Sequence, residues 1–337
     1  MPDIMKKPTT KQMIQRRKTL SAFAAGSLLL LPGLGAQAHA ETYPSKTVTI
    51  IVPFAAGGTV DKVARTVREG FQSRLGQAVI IDNRGGAGGT IGSALLTKSA
   101  PDGYTGGMVF DSFATEQHIY PKLRYSERDL TGVAYIARSP MVLVVPASSP
   151  FKTLQDYVSA AKKKPNTISY ASVGSGSSNH LAAELFHQSV GTSGLHTPYK
   201  GGGPAITDLL GAHVDSMIAS LPLVLGHVES GKLRALAVTS AQRAPRLPEV
   251  PAIAESYKDF EVYSWVGMVA PARTPAAILD RLASDMQATL RDAKVAKQLG
   301  ESGFEVVAGG RDAMNRLVKS ESDRWGRIIK SRHIVAE

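Results

Sequence analysis

The stretch at residues 47–61 (TVTIIVPFAAGGTVD) constrains the fold of this chain most. Its first part is a short β-branched run without a polar face, which predicts a strand covered on both sides by helices. A helix over 61–75 follows, with Asp61 in its first turn. The residues expected to shape the turn between them are Pro53, Gly57, Gly58 and the capping Thr59. Such a loop points unpaired backbone N–H groups outward, so it predicts an anion site that needs no cationic side chain.

The first 40 residues have the order of an export signal. A basic segment precedes an apolar stretch at about 20–34, and Ala38 and Ala40 supply the small residues of a cleavage site. We predict a secretory signal peptide that is cleaved after Ala40. The pair Arg16 and Arg17 raises a twin-arginine route, but the general export route is favoured.

Charge and cysteine content exclude several classes of function. Removing residues 1–40 takes away six Lys or Arg residues and Asp3, so the formal charge of +11 falls to about +6. The remaining basic residues are scattered and lack interleaved aromatic side chains, which argues against a nucleic-acid partner. The chain has no cysteine, so it has neither disulfides nor thiol chemistry. The length that remains is sufficient for two domains.

A second glycine-rich stretch lies at residues 83–92, between a predicted strand at 78–82 and a predicted helix at 93–99. It resembles a dinucleotide-binding loop, but the spacing G-x-G-x-x-G cannot be placed on it. The favoured interpretation is that these glycines allow a tight crossover and close packing of helix on sheet.

The next strand, predicted around 107–110, leads into a loop at 111–115. Ligands collect outside the carboxyl ends of strands in open parallel sheets, so this loop is a candidate part of the site. Two further short strands are predicted at 135–138 and 141–145, separated by Ser139 and Pro140, and they form the passage into a second domain.

The second domain repeats the order of strand, small-residue loop and helix. A helix at 154–163 and a strand at 168–172 precede the loop 174–179 (GSGSSN), which opens a helix at 180–190. Its serines and asparagine are both candidate caps and candidate ligand partners. A third glycine loop at 200–203 combines free N–H groups with the cation of Lys200. Beyond it, strands are predicted at 214–218, 233–239 and 262–270, and helices at 221–229, 275–299 and 311–330.

Catalytic and metal sites are not favoured. His180, Glu184 and His187 fall on one helix face, but an exposed face explains them and no other cluster completes a metal site. The chain lacks G-x-S-x-G, H-E-x-x-H and a P-loop lysine motif. Donor-rich loops without a nucleophile or base indicate binding rather than turnover, and no cofactor is expected.

Six stretches in register carry a resemblance to a known family. They lie at 53–61, 83–92, 102–105, 170–180, 198–204 and 247–251. Over essentially the whole mature chain the sequence resembles the Bug (TctC-like) family of periplasmic solute-binding receptors of tripartite tricarboxylate transporters. The resemblance implies a type II periplasmic-binding-protein fold, an α/β fold with two lobes and a ligand cleft between them. It also implies a periplasmic, monomeric receptor that delivers a small carboxylate-bearing anion to a membrane transporter.

The resemblance also implies lobe boundaries and a site. Residues 41–140 and 263–337 would form one lobe and 141–262 the other, with the hinge at 138–142 and 262–267. Backbone amides of two loops would hold the ligand as pincers, and two further loops would complete the site. The implied ligand-binding residues are Phe54, Ala55, Ala56, Gly57, Gly58, Asp111, Ser112, Phe113, Ser172, Gly174, Ser175, Ser177, Ser178, Asn179, Tyr199, Lys200, Gly201 and Gly202.

The chain departs from the family pattern at residues 111–118, where many relatives show a serine or threonine loop followed by Asn-Pro. An acidic Asp111 would repel a second ligand carboxylate unless it faces away or accepts a bond from a ligand ammonium or hydroxyl. Phe54, Phe110 and Phe113 could form an apolar wall, so an aromatic acid and a dicarboxylic acid are both candidate ligands.

Two other functions stay open on the sequence alone. One is an exported hydrolase of a carboxylate ester or amide, with Ser177 as nucleophile and His180 as base. The other is a ligand sensor for a membrane signalling partner.

Overall fold

A mixed ten-stranded sheet runs through the part of the chain that the computed structural model describes, residues 43–120, 122–199 and 201–335. The strands are β1 (Val48–Val52), β2 (Val79–Asn83), β3 (Thr105–Phe110), β4 (Leu130–Pro146), β5 (Ser169–Ser172), β6 (Leu195–Pro198), β7 (Ser216–Ser220), β8 (Leu233–Val238), β9 (Tyr263–Pro271) and β10 (Glu305–Gly309). Their order is β2-β1-β3-β9-β4-β7-β5-β6, and β8 and β10 also pair with β4. This arrangement agrees with the predicted α/β class.

Helices cover both faces of the sheet. They are α1 (Thr59–Leu75), α2 (Thr90–Thr97), α3 (Glu116–Ile119), α4 (Leu154–Lys163), α5 (Ser178–Val190), α6 (Gly202–Leu210), α7 (Leu221–Glu229), α8 (Ala276–Leu290), α9 (Ala293–Glu301) and α10 (Arg311–Arg332). Among the helices that the structure describes, none is long and apolar enough to cross a membrane. The predicted signal peptide lies outside the described residues.

The sheet has a parallel part at each end, and each part has its own core. In the first, β1 pairs in parallel with β2 and β3, and Val48, Ile50 and Val52 of β1 are buried against α1 and α8. In the second, β5 pairs in parallel with β6 and β7, with buried clusters on its two faces. We call the part built on β1–β3 the first lobe and the part built on β5–β8 the second lobe.

Two antiparallel strands connect the lobes. β4 pairs with β9 from Leu130 opposite Pro271 to Pro140 opposite Tyr263, and then continues against β7 and β8. The prediction of two short strands broken at Ser139 and Pro140 is therefore wrong. Pro140 is tolerated because its missing N–H falls where β4 changes partner from β9 to β7. The predicted hinge at 138–142 lies within this continuous strand.

The carboxyl-terminal part differs from the sequence prediction in two places. The helix predicted over 275–299 is two helices, α8 and α9, because Asp292 caps α9 by accepting hydrogen bonds from the N–H groups of Lys294 and Val295. Strand β10 was not predicted. It pairs with β4 at the edge and is only half-buried, and its apolar run Val306–Ala308 is too short to indicate a strand by itself.

Helix α10 contacts both lobes. Met314, near its start, packs in the first lobe with Trp265, whereas Trp325 and Ile329 pack in the second lobe with Phe186. The lobe boundaries remain a prediction, but this packing shows that the C-terminal half of α10 belongs to the core of the second lobe.

Candidate functional site

The loop between β1 and α1 has the predicted turn with a different cap. Gly58, not Thr59, is the N-cap, and it has no side chain to satisfy the first turn of α1. Gly57 has φ +80°, which favours glycine. The side chains of Ala55 and Ala56 are exposed. The first turn of α1 and the exposed Ala55–Ala56 segment therefore retain backbone donors for an anion.

Two predicted donors of this loop are used inside it. The Gly57 N–H donates to Asp61 Oδ2 at 2.8 Å, and the Gly58 N–H donates to the Ala55 carbonyl at 3.3 Å. Burial alone would raise the pKa of Asp61, but hydrogen bonds from Arg65 and Gly57 outweigh it and hold that pKa below its usual range. Asp61 therefore stays ionised and fixes the shape of the loop.

The glycine-rich stretch supports this loop from behind, as the packing interpretation predicted. The Asn83 amide donates to the Phe54 carbonyl at 3.1 Å. A Cβ on Gly85 would lie 3.1 Å from the Ala55 nitrogen, and a Cβ on Gly92 would lie 2.8 Å from the Pro53 Cα. The helix predicted to begin at 93 begins at Thr90. Gly92, inside this helix, allows α2 to approach the backbone of Pro53 closely.

The loop after β3 places a carboxyl group between the lobes. Asp111 is 4% exposed, and neither of its carboxyl oxygens has a hydrogen-bond partner among the described residues. Ser264 of β9 and Ser178 of the second lobe are its neighbours. Burial raises the pKa of Asp111 to about 7, against the smaller opposing effect of these hydroxyls.

The side chain of Phe113 is buried rather than exposed beside the loop before α1. It is 4% exposed and packs in the core of the first lobe with Trp265 and Met314. The expectation that it forms an apolar wall is therefore wrong, because the short 3-10 turn at Asp111–Ala114 rotates its side chain inward. Phe54 and Phe110 do contact each other edge to face, with centroids 6.0 Å apart, and both are partly exposed.

Glu116 is a second buried carboxyl group close to the first loop. Ser93 donates to its Oε1 at 3.3 Å and Tyr125 donates to its Oε2. Burial raises the pKa of Glu116 to about 8 in spite of these bonds. A Cβ on Gly89 would lie 3.0 Å from its Oε1 and 3.4 Å from the Phe54 ring, so Glu116 lies directly behind the anion loop.

The loop between β5 and α5 is held by its own polar groups. Gly174 and Gly176 have φ values of +139° and +76°, which side chains rarely adopt. Ser177 is the N-cap of α5 and accepts from the His180 N–H at 3.4 Å. The Asn179 amide donates one hydrogen bond to the Ile218 carbonyl at 2.8 Å inside the lobe, and the residue is 5% exposed. Ser175, Ser177 and Ser178 are half-buried.

The last predicted loop adjoins this one. The Tyr199 N–H donates to the Ser172 carbonyl at 3.0 Å, and the Tyr199 hydroxyl donates to Asp208 at 2.8 Å. Gly201, with φ +105°, is the N-cap of α6, in which Gly202 is the first residue. Lys200 lies outside the described residues.

Contacts between the loops join them into one site region. Ser112 donates to the Gly88 carbonyl at 3.2 Å, which connects the loop after β3 to the glycine-rich stretch. A Cβ on Gly176 would lie 2.5 Å from Ile119 Cδ1, so the loop before α5 touches α3, whose Ile119 packs in the core of the second lobe. The contact residue Ile119 was not singled out from the sequence, where an apolar residue near a short helix carries no functional pattern.

The predicted exposed face of α5 is buried. His180 is 8% and His187 is 3% exposed, because α5 packs against β5 and α10. His180 Nδ1 accepts from the Gly176 N–H at 3.0 Å, and His187 Nδ1 shares a hydrogen bond of 2.9 Å with Thr192. Burial lowers the pKa of His187 to about 4. Within the described ranges, no group of three His, Asp or Glu residues could hold a metal ion.

Comparison with known proteins decides the family. A family model described as the tripartite tricarboxylate transporter family receptor matches residues 63–334. The chain belongs to this receptor family. Its members are solute-binding receptors, so the hydrolase alternative is wrong. The structure agrees, since the His180 ring bonds to Gly176 and only the backbone N–H of His180 reaches Ser177.

Solved structures of related receptors share the fold. The periplasmic binding protein BugD is 35% identical with a TM-score of 0.79, and the match covers 88% of this chain and all of BugD. Rpa4515 of R. palustris, solved with adipate, is 34% identical with a TM-score of 0.81 over 87% of this chain and 99% of its own. MatC of Rhodopseudomonas palustris, solved with malate, is 29% identical with a TM-score of 0.77 over 85% of this chain and all of its own. The predicted fold class is thereby confirmed, and the protein is a periplasmic-type solute-binding receptor.

Proposed function

We propose that this receptor captures a small aliphatic dicarboxylate in the periplasm and delivers it to a tripartite tricarboxylate-type transporter. The observation that carries this proposal is the uncapped start of α1 beside the exposed Ala55–Ala56 segment, which offers backbone donors to a carboxylate. The adipate and malate bound by related receptors support the ligand class. Burial of Phe113 removes one side of the aromatic wall, which favours an aliphatic over an aromatic acid.

Closure would bring the two pincers onto the ligand through bending of the β4–β9 pair. Both strands are continuous where the lobes meet, and Asp111 of the loop after β3 is already a neighbour of Ser178 in the second lobe. The mature chain, without residues 1–40, would act as a monomer, with backbone amides of the loop before α1 and the loop before α5 as the principal contacts. Tyr199 to Gly202 and the loop at 111–115 would complete the cleft.

A thermal-shift screen of the mature protein, refolded free of carried-over ligand, tests this function. The screen compares mono-, di- and tricarboxylates, including adipate, malate and an aromatic acid. A ligand at 100 to 1,000 times its dissociation constant should stabilise by roughly 3–4 kcal/mol, or on the order of 5–10 °C. A shift with aliphatic diacids is the expected result. The absence of a shift with every carboxylate would overturn the proposal.

Gly58→Val is expected to weaken ligand binding roughly 100-fold or more, the effect of losing two hydrogen bonds to a charged group. Gly58 has φ −72° and ψ 174°, which valine can adopt, but a Cβ there lies 3.2 Å from the Ala55 carbonyl oxygen and must displace the donor segment. Calorimetry with the best ligand of the screen measures the effect.

The control for this variant is Gly300→Val on α9, where a Cβ meets no atom within 4 Å. It should retain the affinity of the wild type. If Gly58→Val folds and binds as tightly as Gly300→Val, the loop before α1 does not belong to the site.

A further inference from the structure

Two imidazole rings stack beneath the loop of the second lobe. His180 lies in the first turn of α5 and His196 lies on β6, and their ring centroids are 3.8 Å apart with planes within 10°. Tyr170 of β5 lies beside both rings, with its centroid 5.1 Å from that of His196 and 6.3 Å from that of His180. The pair therefore bridges three elements directly under residues 172–178.

Each ring of the pair holds one residue of that loop. The Gly176 N–H donates to His180 Nδ1 at 3.0 Å, and Ser172 Oγ shares a hydrogen bond of 2.7 Å with His196 Nε2. Ser172 Oγ also exchanges bonds with the backbone of Gly174, at 3.0 and 3.2 Å. The imidazoles thus fix both glycines whose positive φ values shape the loop.

We propose that His180 and His196 are positioning residues that keep this loop in its ligand-binding conformation only while His180 is neutral, so that acidification weakens ligand binding. The proposal rests on the proposed function, in which the loop before α5 is one of the two pincers. Beyond that function, the proposal assigns a role to two side chains that do not touch the ligand, and it predicts that ligand affinity depends on pH.

The reason lies in the direction of the Gly176 bond. Because the backbone N–H is the donor, His180 Nδ1 must offer its lone pair, and the ring proton sits on Nε2. Protonation would place a second N–H against the Gly176 N–H and turn the attraction into repulsion. It would also put a cation against the face of His196 at stacking distance.

The charged and titratable groups around His180 act in opposite directions. Burial lowers the pKa of His180 from 6.5, and Glu184 on the same helix raises it by a smaller amount. Glu184 accepts from the Tyr170 hydroxyl at 2.7 Å and pairs with Arg332 of α10 at 3.8 Å, which disperses its charge. His187 of α5 and His196 of β6 complete the surroundings. The net effect keeps the pKa of His180 below that of a free imidazole, so the neutral ring is favoured.

The experiment measures adipate affinity by calorimetry between pH 5 and 8 for the wild type and three variants. His180→Leu removes the acceptor and should bind weakly at every pH. His180→Asn restores an acceptor that cannot titrate and should recover most of the affinity that His180→Leu loses. His187→Asn is the matched control, because its ring lies in the same core but bonds to Thr192.

We expect the ratio of the wild-type affinity to the His180→Asn affinity to change with pH. Below the pKa of His180, wild-type affinity should fall relative to His180→Asn by up to about ten-fold per pH unit, as one excluded proton requires. Adipate itself titrates equally in all samples, so its contribution cancels in the ratio and only the titration of the protein remains. His187→Asn should follow the wild type. A ratio of wild type to His180→Asn that stays constant from pH 8 to 5 would overturn the proposal.

Hydrogen exchange of the ligand-free protein separates this inference from the proposed function. At one fixed pH, the Gly176 amide should lose protection in His180→Leu and keep it in His180→Asn and His187→Asn. If neither adipate nor any other carboxylate of the thermal-shift screen binds, the carboxylate function fails, but this pattern still supports the positioning pair. Equal protection in His180→Leu and the wild type refutes the pair even where adipate binds.

Discussion

Replacing Asp111 with asparagine is expected to raise the free energy of unfolding of the ligand-free protein at pH 8 by up to about 4 kcal/mol. Burial raises the pKa of this carboxyl group from 3.8 to about 7, and neither oxygen has a hydrogen-bond partner among the described residues. The folded state therefore holds the proton up to a higher pH than the unfolded chain does. The stabilisation by that proton is complete below pH 3.8 and is lost as the pH rises through 7.

Asparagine keeps the shape of the side chain but cannot ionise, so its benefit should shrink as the pH falls. Urea denaturation of both proteins at pH 8 and pH 5 measures this. The control is Asp259→Asn, at an exposed position whose φ of +64° asparagine tolerates. Its free energy of unfolding should change by no more than about 0.5 kcal/mol at either pH. An Asp111→Asn effect of the same size at pH 5 and pH 8 would show that Asp111 does not carry a buried charge.

The second large effect is expected from Gly92→Ala. Alanine normally stabilises a helix relative to glycine, but a Cβ at position 92 would lie 2.8 Å from the Pro53 Cα and 2.9 Å from the Arg84 carbonyl oxygen. Both atoms are backbone, so α2 must move away from the loop before α1. We expect a loss of about 1–3 kcal/mol of stability, together with weaker ligand binding.

Gly226→Ala on α7 is the matched comparison, because this glycine is exposed and its Cβ would meet no atom within 4 Å. It should gain about 0.5–1 kcal/mol of stability and leave ligand affinity unchanged. Chemical denaturation measures whether each variant gains or loses stability, and calorimetry measures whether its ligand affinity changes. If Gly92→Ala also stabilised the protein, the glycine-rich stretch would have no role in positioning the anion loop.

The local elements of the fold were predictable because each carries its own pattern. The apolar run of β1 and the glycines that follow it specify a strand and a turn within a few residues. The helix over 154–163 and the helix over 221–229 begin and end where the sequence placed them. Errors came where a pairing partner decides the outcome. Pro140 is compatible with a strand only because β4 changes neighbours there, which local sequence does not reveal.

The sequence predicts the candidate site as a set of loops, and that prediction stays open, but it does not predict where the side chains of those loops lie. Phe113 turns into the core and Asn179 bonds to Ile218, although both stand in donor-rich or aromatic stretches. Conversely, His196 carried no motif, and its importance follows from a stacking partner 16 residues away on another element. Spacing correctly predicts that His180, Glu184 and His187 share one face of α5. It does not predict that β5 and α10 pack against α5 and bury both histidines.

The passage of the paired strands β4 and β9 from one lobe to the other bears on how receptors of this kind can diversify. Pro140 and Tyr263 are opposite each other, so the segment 141–262 leaves and rejoins the rest of the chain at neighbouring positions. Recombination between relatives could exchange this segment as one block, together with the loops before α5 and α6 that the proposed function assigns to the site. Trp325 and Ile329 contribute to the core of that block from α10, so a chimera must inherit the end of α10 with it. New specificities can thus arise by exchange of halves as well as by point substitution.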